Sequence, residues 1–335
     1  MKLRNKFVIK YRLGMRIILP VLLISLSLPT PAEQDTSDQA RQLINEMSRA
    51  SRELNYDGVF VYRRDRLMDT MRLIHKADKN GEQERMVSLT GYAREVIRNN
   101  KSVTCIFPDN HAVMVEKSRP RKFLAAQLPE PIEKVADFYS FSTGGKDRVA
   151  GRDSVIVNIV PKDDFRYGYQ IWIDKESRLL LKSELKDNAG RPVEQILFTH
   201  LDVVDEIPPQ LLKPAISGKG YTWYSDSSEE MPVRSGAHIW TVMDMPDGFA
   251  LNDYEKQSVT DNTMPVEHMI YSDGLAMVSV FIEKIMNEPD RMQGASKMGG
   301  VNAFATFTNG YQITAVGEVP QKTVQLMANS VIQNK

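Results

Sequence analysis

The strongest constraint on this chain is a train of short β-forming segments broken at close intervals by turn residues. Val59 to Tyr62, Thr70 to His75, Arg85 to Leu89, Ala93 to Arg98, Val103 to Phe107 and Ala112 to Val115 follow one another, with Lys79-Asn80-Gly81, Asn99-Asn100 and Pro108-Asp109-Asn110 between them. Connections this short cannot hold the crossover that a parallel pair needs, so the segments predict an antiparallel sheet. Residues 118 to 141 interrupt the rhythm: Pro129 and Pro131 read as a loop, and Ile132, Val135, Ala136, Phe138 and Tyr139 as a short helix. Strands resume at Val155 to Val160, Tyr167 to Ile173, Leu179 to Leu185 and Val193 to Val203. Ahead of the sheet, Leu43, Ile44, Met47, Ala50 and Leu54 recur at helical spacing, with Thr36 and Gln39 placed as a capping box.

A second unit follows residues 205 to 236, whose four prolines and several Gly and Ser read as a linker. Ser272-Asp273-Gly274 and Asn309-Gly310 each lie between two β-forming runs, and both pairs signal hairpins. Asn287 to Gly300 reads as a loop between them. A last helix begins at Pro320, with Val324, Met327, Ala328 and Val331 as its apolar face. The expected class is therefore α+β: a large antiparallel unit over residues 33–210, a linker over 211–235 and a small domain of two hairpins and a helix over 236–335.

The first 32 residues form a separate segment. Lys2, Arg4, Lys6, Lys10, Arg12 and Arg16 precede the apolar run Ile17 to Leu28 and the small-residue site Thr30-Pro31-Ala32, the pattern of a cleaved secretory signal. A dozen apolar residues are too few to span a bilayer, which takes about 20. Met15 offers a second start that leaves a shorter but complete signal. The leader holds six of the 43 basic residues and none of the 43 acidic ones, so the mature chain is left with a net charge of −6. That balance argues against a nucleic-acid partner, which requires a concentrated basic face. Cys105 is the single cysteine. In an oxidising compartment it is a free thiol or an intermolecular bridge, and its strand-like surroundings favour a buried, inert thiol.

Motifs for catalysis are missing. None of the five histidines has a second ligand at metal spacing, and there is no nucleophile elbow, phosphate loop or dinucleotide fingerprint. Gly144-Gly145-Lys146 reads as a turn. The chain is expected to be a binding protein with no metal and no cofactor, not an enzyme. The segment Phe165 to Ile173 alternates: Tyr167, Tyr169, Ile171 and Ile173 share one face, while Arg166, Gly168 and Gln170 share the other. The aromatic row is either ordinary core or the wall of an apolar ligand cavity.

Several ordered runs carry a resemblance. Arg166-Tyr167, Tyr169, Trp172, Asp174, Glu176-Ser177, Leu179, Leu185, Asp187, Gly190 and Glu194-Gln195 have the order and spacing of the periplasmic regulators called RseB or MucB. So do Trp240, Pro246, Gly248-Phe249, Met264-Pro265, Glu267, Tyr271-Ser272-Asp273-Gly274-Leu275, Val316-Gly317-Glu318, Pro320 and Thr323. The chain resembles that family from its first mature helix to its end. The resemblance implies a large domain like the lipoprotein-carrier fold, an incompletely closed antiparallel barrel over helices with an apolar cavity, and a small domain packed beside it. It also implies a periplasmic protein that binds the periplasmic segment of a membrane-spanning, RseA- or MucA-like anti-sigma factor. Binding would block the first regulatory protease, and lipid or lipopolysaccharide would release the complex. On this reading Tyr167, Tyr169, Ile171 and Ile173 line the lipid cavity, and Arg166 at its mouth holds a lipid phosphate or is simply solvated. Trp223, Trp240 and Tyr271 are the partner-interface candidates, although aromatics are equally at home in cores. Family precedent implies a possible homo-oligomer. The alternatives are a plain lipid or lipoprotein carrier, which has no need of the segment from Trp240 to Lys335, and a hydrolase.

Overall fold

The computed structural model describes residues 31–117, 131–216, 218–225, 239–257, 266–285 and 293–334. Residues 1–30 of the expected leader, and the Pro129 loop, lie outside the described residues. Helix α1 (Pro31–Glu53) opens the described chain, and eleven strands follow. They are β1 (Asn55–Arg64), β2 (Leu67–Asp78), β3 (Gly81–Ser88), β4 (Glu95–Arg98), β5 (Ser102–Phe107), β6 (Ala112–Lys117), β7 (Tyr139–Val149), β8 (Arg152–Pro161), β9 (Gly168–Asp174), β10 (Leu180–Lys186) and β11 (Pro192–Val204). β12 (Thr222–Ser225) completes a twelve-stranded sheet in the order β12-β6-β5-β4-β3-β2-β1-β11-β10-β9-β8-β7. Every pairing is antiparallel except β12 on β6. The end strands β12 and β7 do not pair with each other, so the barrel is incompletely closed. Its middle is a long-range pairing: β1 lies along β11, from Asn55 opposite Val204 to Arg64 opposite Glu194.

The sheet uses both faces. On one, Ile171 and Ile173 of β9 and Val157 and Ile159 of β8 meet Ala40, Leu43, Ile44 and Met47 of α1, with Ile132, Val135, Tyr139 and Phe141 closing the cluster. On the other, Trp172 joins Tyr56, Phe60, Leu73, Leu181 and Phe198. Trp172 donates from Nε1 to Asp147 at 2.8 Å, which satisfies the one polar atom such a burial strands.

The small unit contains β13 (Trp240–Val242), β14 (Ala250–Gln257), β15 (Val266–Ser272), β16 (Met277–Lys284), β17 (Gly294–Met298), β18 (Val301–Thr308), β19 (Tyr311–Gly317), helix α2 (Gln321–Asn329) and β20 (Val331–Gln333). Six strands form a sheet in the order β14-β15-β16-β19-β18-β17, and β13 pairs with β20. Both expected hairpins form. Asn309 and Gly310 sit at φ 52° and 86°, both positive as a type I′ turn requires. Val324, Met327 and Ala328 of α2 cover Val278, Val280, Ile313 and Ala315.

Six local expectations need correction. α1 begins at Pro31, so Thr36 and Gln39 lie inside the helix and do not mark its first residue. Gly144 and Gly145 do not make a turn; they sit in β7, where the register slips between Thr143 and Gly145, a bulge that Gly145 accommodates at φ 110°. Tyr139 opens that same strand instead of ending a helix, and only Ile132–Val135 is helical, as a 3-10 turn. Thr222–Ser225, inside the expected linker, is an edge strand, and Gly294–Met298, inside an expected loop, is β17. Cys105 is in no disulfide and is half-buried, not buried.

Ile44 is fully buried between α1 and the sheet. Ile44→Ala is expected to cost about 2–5 kcal/mol of stability, read as a lower midpoint in urea unfolding with an unchanged slope.

Candidate functional site

The two sheets meet along a seam that is polar, buried and built from residues far apart in the chain. At one end stands Arg166, in the segment between β8 and β9. Its side chain has no solvent exposure. Nε donates to Asp273 Oδ2 at 2.5 Å, Nη1 to Asp163, and Nη2 to the carbonyl of Asp247. The rings of Phe138, Phe249 and Tyr139 surround the guanidinium at 4.9, 5.1 and 5.9 Å from its carbon. Asp273 belongs to the loop between β15 and β16. Its Oδ1 accepts from the amides of Leu275 and Ala276 at 2.8 and 2.7 Å, and its Oδ2 also accepts from Tyr139 Oη at 3.0 Å. Burial first, then the charge of Asp273, raises the Tyr139 hydroxyl well above its ordinary pKa. Gly248, at φ 86°, lies under Phe138; a Cβ there would come within 2.3 Å of the ring, so only glycine allows this approach.

Further along the seam, Tyr167 Oη accepts from Asn302 Nδ2 at 2.9 Å, and Thr323 Oγ1 of α2 donates to the carbonyl of Phe165 at 2.7 Å. Lys322 pairs with Asp164 at 3.3 Å and lies over the ring of Phe165. At the far end, the β17–β18 turn meets β1 and β11. The amide of Gly299 donates to Asp65 at 2.7 Å, and that of Gly300 to Glu194 Oε1 at 2.9 Å. Tyr62 Oη donates to Glu194 Oε2 at 2.6 Å. Glu318 follows β19; burial, then the charge of Glu194, pushes its pKa up to about 7.

This placement corrects the sequence reading of Arg166. It is neither solvated nor at a cavity mouth: each of its three nitrogens donates within the seam, to Asp273, Asp163 and Asp247, and with no solvent exposure it presents nothing to a lipid phosphate. The aromatic row also divides. Tyr169, Ile171 and Ile173 pack together under α1, whereas Tyr167 turns to the seam and Asn302. Trp240 and Tyr271 are only 3 % exposed and belong to the small unit's core; Trp240 packs edge-on to Tyr311, and Tyr271 Oη accepts from the amide of Val242 at 3.4 Å. They have no surface to offer a partner. Trp223, 56 % exposed on edge strand β12 beside Tyr224 at 57 %, does. A cleft of about 680 Å³ runs along the outer face of α1, but Asp38, Arg41, Gln42, Asn45, Glu46, Arg49 and Glu133 line it, which suits no acyl chain. Among the described residues no group of three His, Cys, Asp or Glu gathers as a metal site would, and no helix is long and apolar enough to cross a membrane.

Two profiles match the chain along its length, the MucB/RseB N-terminal domain over residues 39–216 and the MucB/RseB C-terminal domain over residues 234–332. The chain belongs to the MucB/RseB family. It is 29 % identical to the sigma factor AlgU regulatory protein MucB of Pseudomonas aeruginosa, over 95 % of this chain and 98 % of that one. It is 28 % identical to the sigma-E factor regulatory protein RseB of Haemophilus influenzae, over 87 % and 90 %. Among solved structures, MucB in the MucA/MucB complex of Pseudomonas aeruginosa superposes with a TM-score of 0.69 at 27 % identity, covering 89 % of this chain and 99 % of that one. A crystal structure of MucB gives a TM-score of 0.61 at 26 % identity, covering 89 % of this chain and 99 % of that one. The family's two-part architecture thus holds here, and the seam is where this member joins its parts.

Removing Arg166 would leave Asp273 buried without its cation. Arg166→Ala is expected to cost about 3–5 kcal/mol, measured by chemical denaturation. A loss below about 1 kcal/mol would show that the pair does not hold the seam.

Proposed function

We infer that this chain is a periplasmic negative regulator of an envelope-stress sigma factor. It binds the periplasmic segment of a transmembrane anti-sigma factor, shields that segment from regulated proteolysis, and lets go when lipid or lipopolysaccharide is sensed. The observation that carries the reading is the likeness across both units to MucB as it stands in complex with MucA. A carrier of lipid alone has no use for a second sheet held to the first by a buried ion pair.

Edge strand β12 is the partner surface this reading favours. Among the described residues it combines a backbone edge that pairs with no strand with two exposed aromatics, Trp223 and Tyr224. Extended peptides add to such edges through main-chain hydrogen bonds, with aromatic anchors supplying the affinity. Lipid would act on the layer under α1, where Tyr169, Ile171 and Ile173 face the helix. An acyl chain that displaces α1 gains about 0.8 kcal/mol per buried methylene. It shifts the equilibrium only by its preference for the displaced state, and a hundredfold preference corresponds to about 2.7 kcal/mol.

The test is capture of the anti-sigma factor's periplasmic segment by the mature chain, with and without lipopolysaccharide. Capture that lipid weakens supports the regulator; lipid binding without capture in either condition supports the carrier. Trp223→Ala is expected to weaken capture at least tenfold by titration calorimetry while leaving the unfolding midpoint in place. Deletion of residues 236–335 is expected to abolish it. Unchanged affinity in the truncated chain would remove the small unit from the interface.

A further inference from the structure

Three turns gather at one end of the large sheet and carry apolar side chains into solvent. The β1–β2 turn presents Leu67 and Met68, the β3–β4 loop Leu89 and Tyr92, and the β17–β18 turn of the small unit Met298. Tyr92 is 90 % exposed, and the other four are more than half exposed. Antiparallel pairing puts the first two turns at the same end, with Arg64 opposite Leu67 and Met71 opposite Ser88. Hydrogen bonds hold the three together. The amide of Leu89 donates to the carbonyl of Thr70, that of Thr70 to Thr90 Oγ1, and that of Gly299 to Asp65 Oδ2, each at 2.7 Å. Gly299 lies so close to the stem of Arg64 that a Cβ would come within 2.1 Å of it. The exposed apolar residues are therefore a group drawn from both sheets, which scattered surface residues are not.

Charge at this end runs against the balance of the chain. Outside its expected leader the chain has six more acids than bases. Residues 63–69, 89–94 and 297–300 reverse that ratio, with five cations against the two acids Asp65 and Asp69. Arg66, Arg94 and Lys297 are exposed, one on each turn. Asp65 is engaged with the Gly299 amide, and Asp69 lies against Gly91.

We propose that this end of the protein docks on the surface of an anionic phospholipid bilayer. The apolar side chains enter the headgroup layer, and Arg66, Arg94 and Lys297 stay level with the lipid phosphates. Side chains on turn tips enclose no acyl chain, but a flat interface receives all of them at once. Tyrosine suits that boundary because its ring is apolar and its hydroxyl wet. Arginine and lysine suit it because their stems cover apolar surface while their charges remain hydrated. A second copy of this chain, seated tip to tip, would bring like charges together. Edge strand β12 starts at the same end: the amide of Thr222 donates to the carbonyl of His111, in the β5–β6 turn, at 2.8 Å. A docked chain would thus hold its proposed partner edge beside the bilayer that carries the partner.

The experiment is cosedimentation of the mature full-length chain with sucrose-loaded vesicles, made of phosphatidylcholine alone or mixed with phosphatidylglycerol, with no anti-sigma factor present. The chain should sediment with the mixed vesicles and stay in solution with phosphatidylcholine. Added salt should lower the bound fraction, because screening weakens the attraction. Arg66→Gln combined with Arg94→Gln should weaken partition about 25-fold, at roughly fivefold per cation. Leu67→Ser combined with Tyr92→Ser should weaken it about tenfold or more, with the unfolding midpoint in place. Tyr92→Trp should show a blue-shifted emission on the mixed vesicles. Sedimentation with neither vesicle, equal sedimentation with both, or variants that sediment as the wild type does would overturn the proposal. So would a concentration-dependent dimer lost on Leu67→Ser with Tyr92→Ser, which would assign the tips to a second copy. The vesicles hold no protein partner, so failure here leaves the regulatory reading standing, and failed capture of the anti-sigma factor leaves the docking standing.

Discussion

Arg166 carries a positive charge with no exposure to solvent, and the relation of the two sheets turns on how that charge is satisfied. Burying a guanidinium is unfavourable unless anions and acceptors replace the lost water. Here Asp163 comes from the large unit, while Asp273 and the carbonyl of Asp247 come from the small one. The small unit must therefore dock in one orientation for the large unit's cation to be neutral. A purely apolar interface of the same area would tolerate sliding. The aromatic rings around the guanidinium exclude water, and one of them, Tyr139, adds a second donor to Asp273 Oδ2.

The two faces of the large sheet divide the work. The face under α1 is closed by Ile44 and Met47 over Ile171 and Ile173, and the opposite face packs Trp172 and Phe60 into a second core. β9 thus has buried residues on both sides, unlike the half-buried strand its alternation suggests. Such a strand transmits displacement from one face to the other, and the chain enters it directly from Arg166 and Tyr167 in the seam. A ligand that lifts α1 therefore acts on the element that leads to the interdomain ion pair.

What the sequence discloses and what it conceals follow from range. The Asn309-Gly310 turn needs only two residues with positive φ, and it is legible at sight. The antiparallel order of β1 to β6 is equally local. Arg166 is not local: its partner Asp273 lies 107 residues away, and nothing in either neighbourhood marks them as a pair. Alternation placed Arg166 opposite the aromatic row, but it lies just before β9 begins, where a strand period no longer applies. Trp240 and Tyr271 show the limit of residue type, because a large aromatic serves a core as well as an interface. The Asp-Gly signal at 273 was half informative. It marked the hairpin correctly, while the carboxylate's second task across the seam left no local trace. Glu194 is hidden in the same way, an ordinary acid until the fold brings it to Tyr62 and the Gly300 amide.

The pairing of β1 with β11 has a consequence for how the chain is made. Asn55 finds its neighbour only at Val204, so the centre of the large sheet cannot form until some 150 further residues have been synthesised. Contacts of such high sequence separation form slowly because loop closure must precede any gain. The early strands β2 to β6 can pair among themselves, but β1 has only one neighbour until β11 arrives. Once β11 is in place, β1 is held on both sides, and the finished sheet resists unzipping from its N-terminus.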